Sequence, residues 1–110
     1  MIGIALINGI EYPIGFKITG GKGFHITFEN GWTISVQFGP GNYCDNYGMS
    51  IGGKEDIEAG KGGSTTAECA IFNPDGEMIE HKGWGNIVSS RSTPAEVLKY
   101  MSWTAKQKSK

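Results

Sequence analysis

With 110 residues the chain is long enough for one hydrophobic core and too short for two independent domains. Its 38% hydrophobic and 19% charged residues describe a globular chain, and a net charge of −1 excludes the dense basic field that binding to duplex nucleic acid or an acidic membrane surface requires. The 18 glycines lack collagen's three-residue period and so indicate a turn-rich β protein, while two cysteines, Cys44 and Cys69, are too few for a disulfide scaffold and point to reduced thiols in a cytoplasm.

The opening MIGIALINGI carries no basic residue and no small-residue cleavage pattern, so no export signal is expected, and no apolar run reaches the roughly 18 residues of a membrane span. The expected location is cytoplasmic.

Residues 2–38 read as a four-stranded antiparallel meander with one apolar face. A three-residue turn Ile7-Asn8-Gly9 pairs Leu6 with Ile10, Ile4 with Tyr12 and Ile2 with Ile14, and the second strand runs on through Phe16 and Ile18. A turn Glu29-Asn30-Gly31, with Gly31 left-handed, pairs Phe28 with Trp32, Ile26 with Ile34 and Phe24 with Val36. A two-residue turn there would set each apolar row against a polar one.

Residues 39–66 form a Gly-rich loop region too long for an ordinary connection, with a strand possible around Tyr47 to Ile51. Residues 67–83 read as a hairpin turned by Asn73-Pro74-Asp75-Gly76, pairing Ile71 with Ile79, Cys69 with His81 and Glu68 with Lys82. Residues 93–108 carry a helix-start signature, Thr93 as N-cap, Pro94 in the first turn and Glu96 closing a capping box, followed by an apolar stripe of Val97, Leu98, Met101 and Ala105. The fold class expected is α+β: an antiparallel meander of about six strands in one domain, with one C-terminal helix packed on the sheet.

No catalytic constellation emerges. Cys44, Cys69, His25 and His81 are zinc-ligand types without zinc-site spacing, and neither cysteine gathers the partners of an activated nucleophile. EAGKGGSTT fails as a phosphate loop because Glu55 stands where its first glycine belongs and Gly62 follows Lys61. The expectation is therefore a binding protein without catalytic residues, metal or cofactor. The candidate ligand residues are Asn42, Tyr43, Asp45 and Tyr47, which mix stacking and hydrogen-bonding groups with tight turns, then Lys54, Lys61 and Arg91 as isolated cations, and Trp84 between two glycines. For Asn42, Tyr43 and Asp45 the competing reading is a structured turn that caps itself and tucks Tyr43 against the core.

FENGWTISVQFGPGNYCDNY, AECAIFNPDGEMI and TPAEVLKYMSW, in that order, resemble segments of small proteins of tailed bacteriophages and prophages, over about Phe28 to Trp103. The resemblance carries over no catalytic residues. It implies an accessory binding protein in the cytoplasm of an infected host cell, acting in counter-defence by sequestering a small anionic or nucleotide-like ligand. The alternatives are an inhibitor that docks on a host defence enzyme and a minor virion or assembly component. The free strand edges of a meander add the expectation of a homo-oligomer.

Overall fold

The computed structural model describes residues 4–7, 10–20, 22–48 and 63–109. It is an α+β structure in which one helix packs on a six-stranded antiparallel sheet. Among the described residues the strands are β1 (Ile4–Ile7), β2 (Ile10–Pro13), β3 (Gly15–Thr19), β4 (Gly23–Thr27), β5 (Thr33–Gln37), β6 (Ala67–Phe72), β7 (Met78–Ile79) and β8 (Ser89–Ser92), and the helix is α1 (Pro94–Ala105). The main sheet runs in the order β3-β4-β5-β6-β7, with β8 also paired to β6.

The central hairpin follows from its turn. Gly31 has φ 86°, a left-handed conformation that glycine adopts without a Cβ clash, and the Phe28 N–H donates to the Trp32 carbonyl. Ile26 therefore faces Ile34, and Phe24 faces Val36, as the alternation requires. β6 adds Ile71 beside Ile34 and Cys69 beside Val36, extending two apolar rows across the sheet. α1 lies over β5 and β6, and Ile34, Val36, Cys69, Ile71 and Val97 form the buried centre. Ile34 and Ile71 are fully enclosed, each contributing about 2 kcal/mol through lost contact with water. The opposite face is mixed: Phe72 and Ala70 of β6 lie beside Thr33 and Ser35, Thr27 and Thr33 share a hydroxyl hydrogen bond, and the Gln37 amide donates to Thr19 and Ser35.

The capping box at Thr93 and Glu96 is formed, with Pro94 in the first turn. The buried side of α1, however, carries Val97 and Thr104 with Tyr100, Met101 and Trp103 packed against the core, whereas Leu98 and Ala105 are exposed. Helical geometry groups positions 97, 100, 101 and 104 on one side, and the large aromatic rings settle which stripe turns inward.

Three further expectations are corrected. The first hairpin pairs Ile7 with Ile10, Leu6 with Glu11 and Ile4 with Pro13, one residue away from the expected register. Ile4-Ala5-Leu6-Ile7 has no polar face, so burial does not select one register over the other. The expected second strand also breaks at Ile14: Gly15 takes φ 132°, β1 and β2 form a separate two-stranded sheet, and β3 alone joins β4.

The third correction concerns the Asn73-to-Gly76 hairpin. Gly76 has φ 80° and Ile71 does pair with Ile79, but the ladder stops there. In place of His81 and Lys82, β8 pairs with the first half of β6, setting Ser89 beside Cys69 and Ser92 beside Ala67. The Ser89 hydroxyl accepts from the Cys69 N–H at a bulge, and left-handed Gly83 and Gly85 turn the intervening chain. Of the possible strand from Tyr47 to Ile51, Tyr47 lies in a turn and Ile51 lies outside the described residues.

Candidate functional site

The loop leaving β5 folds back on itself because its short polar side chains replace the strand ladder. The Asn42 carbonyl group of the side chain accepts from the Gly39 N–H at 3.1 Å, the Asn46 amide donates to the Phe38 carbonyl at 2.7 Å, and Gly41 takes φ 80°. Cys44 is fully buried, and its thiol donates to the Gly39 carbonyl.

A second chain segment clamps this loop. Asp45 accepts from the Thr65 N–H at 2.7 Å, the Thr65 hydroxyl at 2.6 Å and the Thr66 hydroxyl at 3.0 Å. Those hydrogen bonds, the Thr65 hydroxyl first, hold its carboxyl below the usual carboxylate range, and the nearby Arg91 charge acts in the same direction. Glu68 of β6 accepts from the Asn42 amide and the Tyr43 N–H.

β8 brings the third segment. Arg91 donates from its backbone N–H to the Tyr43 carbonyl at 2.9 Å and from its guanidinium to the Cys44 carbonyl at 2.8 Å. Its φ of 49° is left-handed, an uncommon conformation for a side chain of this size. On the outside of this clamped base, Tyr43 and Tyr47 stack with ring centres 5.6 Å apart and planes 8° from parallel, each ring close to half exposed.

Five of the residues singled out from sequence, Asn42, Tyr43, Asp45, Tyr47 and Arg91, thus meet in one patch. Asn42 and Asp45 act within it as turn and clamp, which is the structural role weighed against ligand binding, whereas Tyr43 stays at the surface instead of tucking into the core. Lys54 and Lys61 lie outside the described residues.

Trp84 lies in a different cluster. Its ring is 5.4 Å from His81 and 5.1 Å from Tyr100, and His81 also meets Trp103 at 4.8 Å. His81 is buried, and its Nδ1 and the Trp84 Nε1 find no hydrogen-bond partner among the described residues. Trp84 therefore belongs to the packing between the β7–β8 connection and α1, away from the tyrosine pair. The other buried thiol is equally withdrawn: burial pushes Cys69 up to about 11.

Between the clamp and α1 lies an apolar cleft of about 440 Å³, lined by Val36, Phe38, Ala67, Val97, Leu98 and Met101. Its rim hydroxyls on Thr65 and Thr66 are engaged by Asp45. Among the described residues, no three His, Cys, Asp or Glu side chains gather where a metal could be held. No helix among them is long and apolar enough to cross a membrane.

The clamp partners Thr65, Thr66 and Glu68 carry no local signal of their role, since each becomes a partner only when β6 lies beside β5. Comparison of the chain with protein-family models, curated proteins and solved structures finds no match.

Proposed function

We propose that this is a non-enzymatic binding protein whose anchor is the Tyr43–Tyr47 pair with Arg91, and that its partner is another protein. The observation that carries the reading is the pair itself: two stacked, half-exposed rings fixed on a clamped loop next to an arginine. Tyr and Arg are the residue types that concentrate binding energy at protein interfaces, and a loop ordered in advance loses little entropy on docking. Asp45 near Arg91, with Glu68 under the same loop at Asn42 and Tyr43, reduces the local positive charge, which favours a protein surface over a free anion. The resemblance to small phage and prophage proteins supports a host defence enzyme as the partner, met in the host cytoplasm.

A second reading, sequestration of a small nucleotide-like ligand, is favoured by one feature. A flat tyrosine platform accepts a base on its face, and Arg91 can meet a phosphate.

The test is affinity capture from host cells, in parallel with native mass spectrometry against cyclic and ADP-ribose-type nucleotides, using wild type and a Tyr43→Ala/Tyr47→Ala variant. One host protein retained by wild type and lost from the variant supports the first reading. A nucleotide adduct lost in the same way supports the second. Equal behaviour of the two chains overturns the site.

A further inference from the structure

β8 departs from a regular strand at one place. Ala67 pairs with Ser92 and Cys69 with Ser89, so the single β6 residue between them, Glu68, is opposed by two on β8, Ser90 and Arg91. Such a bulge bends its strand and re-aims the neighbouring side chains. Arg91, at φ 49°, is the one non-glycine residue with a positive φ among the described residues. Glycine adopts this left-handed region without strain, whereas a side chain there costs energy and persists only where its surroundings hold it.

What holds Arg91 is the loop leaving β5. Its N–H donates to the Tyr43 carbonyl at 2.9 Å, and its guanidinium donates to the Cys44 carbonyl at 2.8 Å. That Cys44 carbonyl also accepts from the Tyr47 N–H at 3.1 Å, so the guanidinium meets the backbone link between the two tyrosines. From the β6 side of the bulge, Glu68 accepts from the Tyr43 N–H at 3.4 Å and from the Asn42 amide at 3.2 Å. Both strands of the bulge thus grip residues 42–44, and Tyr43 is held at its N–H and at its carbonyl. A glycine at position 91 would supply the N–H without strain. What arginine adds is the guanidinium.

We infer that Arg91 is a positioning residue: the bulge aims its guanidinium at the Cys44 carbonyl, and this bond sets Tyr43 in stacking register with Tyr47. The assignment rests on the reading of the tyrosine pair as the anchor and deepens it. Ring geometry is measured with no partner present, so the two can fail separately.

The test is NMR of the full chain, for wild type and Arg91→Gly. Glycine keeps the bulge and the N–H to Tyr43 while removing the guanidinium. A nuclear Overhauser contact between the Tyr43 and Tyr47 rings is expected in wild type and is expected to vanish in the variant. The amides of Gly41 and Tyr47 in the loop are expected to exchange about tenfold faster, while those of Ile34 and Ile71 in the sheet keep their rates. A ring contact that survives in Arg91→Gly overturns the inference. If partner capture is lost while that contact survives, Arg91 is a contact residue and the anchor stands. Equal acceleration of loop and sheet amides also overturns the inference, because the side chain then serves general stability. A ring contact absent from wild type overturns both the inference and the anchor. Should Arg91→Gly fail to fold, exchange on wild type in rising urea decides. The Arg91 amide is expected to open together with Gly41 and Tyr47, and opening together with Ile71 overturns the assignment.

Discussion

Asn30 and Thr104 are separated by 74 residues, yet the Asn30 side-chain amide donates to the Thr104 carbonyl at 2.9 Å. The same amide reaches the Gln107 carbonyl at 2.8 Å, and its oxygen accepts from the Trp32 N–H at 3.0 Å. The last carbonyls of a helix have no partner within the helix, so one turn residue both closes the β4–β5 hairpin and ties down the end of α1.

Asn30→Ala removes all three hydrogen bonds and is expected to lower stability by about 2 kcal/mol, a fall of roughly 10 °C in Tm for a domain this size. Asn30→Asp keeps the acceptor for Trp32 but loses the donor and adds negative charge at the negative end of the helix, so it is expected to fall further. Thermal unfolding followed by circular dichroism separates the two. An aspartate variant as stable as wild type would remove the helix-tying role.

Gly23 is required by space. A Cβ there would collide with the Val36 carbonyl and come within 2.9 Å of the Gln37 Cα, both in the β4–β5 ladder. Backbone on a central strand cannot move aside as a side chain can. Gly23→Ala is expected to cost more than about 3 kcal/mol, measured as a lower urea midpoint. Gly41→Ala, where the added carbon meets nothing within 4 Å but φ is 80°, is the milder control.

Cys69 makes stability depend on pH at the alkaline end. Burial raises its pKa from 9.0 to about 11, so the folded protein holds the thiol proton more tightly than the unfolded chain does. The sign follows: this contribution is complete below about pH 9 and is lost as pH climbs toward 11. Urea unfolding across that range is expected to show declining stability in wild type and a shallower decline in Cys69→Ala. Both thiols are free and buried, and native protein is expected to react with an alkylating reagent only on unfolding. Rapid labelling of Cys69 at neutral pH would contradict its burial.

What was legible in the sequence was local chemistry. Gly31 and Gly76 set two hairpin turns, and Thr93 with Glu96 set the start of the helix, because each signal is complete within a few residues. β8 was not legible: Ser89 to Ser92 has no apolar alternation, and the segment becomes a strand because β6 offers it an unpaired edge. Its pairing carries Arg91 to Tyr43, so the patch containing both was readable only as separate residues. The first hairpin failed for the opposite reason, since an excess of apolar residues on both faces fits two registers equally well. The hairpin pattern places His81 in a ladder, whereas the rings of Trp84, Tyr100 and Trp103 claim it.

The position of β6 between β5 on one side and β7 and β8 on the other has a consequence for biosynthesis. Cys69 is enclosed by a serine that emerges from the ribosome 20 residues later, and the helix that roofs the sheet follows that serine. The rows of β4 and β5 are translated before β8 and α1 and stay open until those segments follow. A chain cut between β6 and α1 therefore carries bare apolar rows, the kind of surface that makes partly folded chains aggregate.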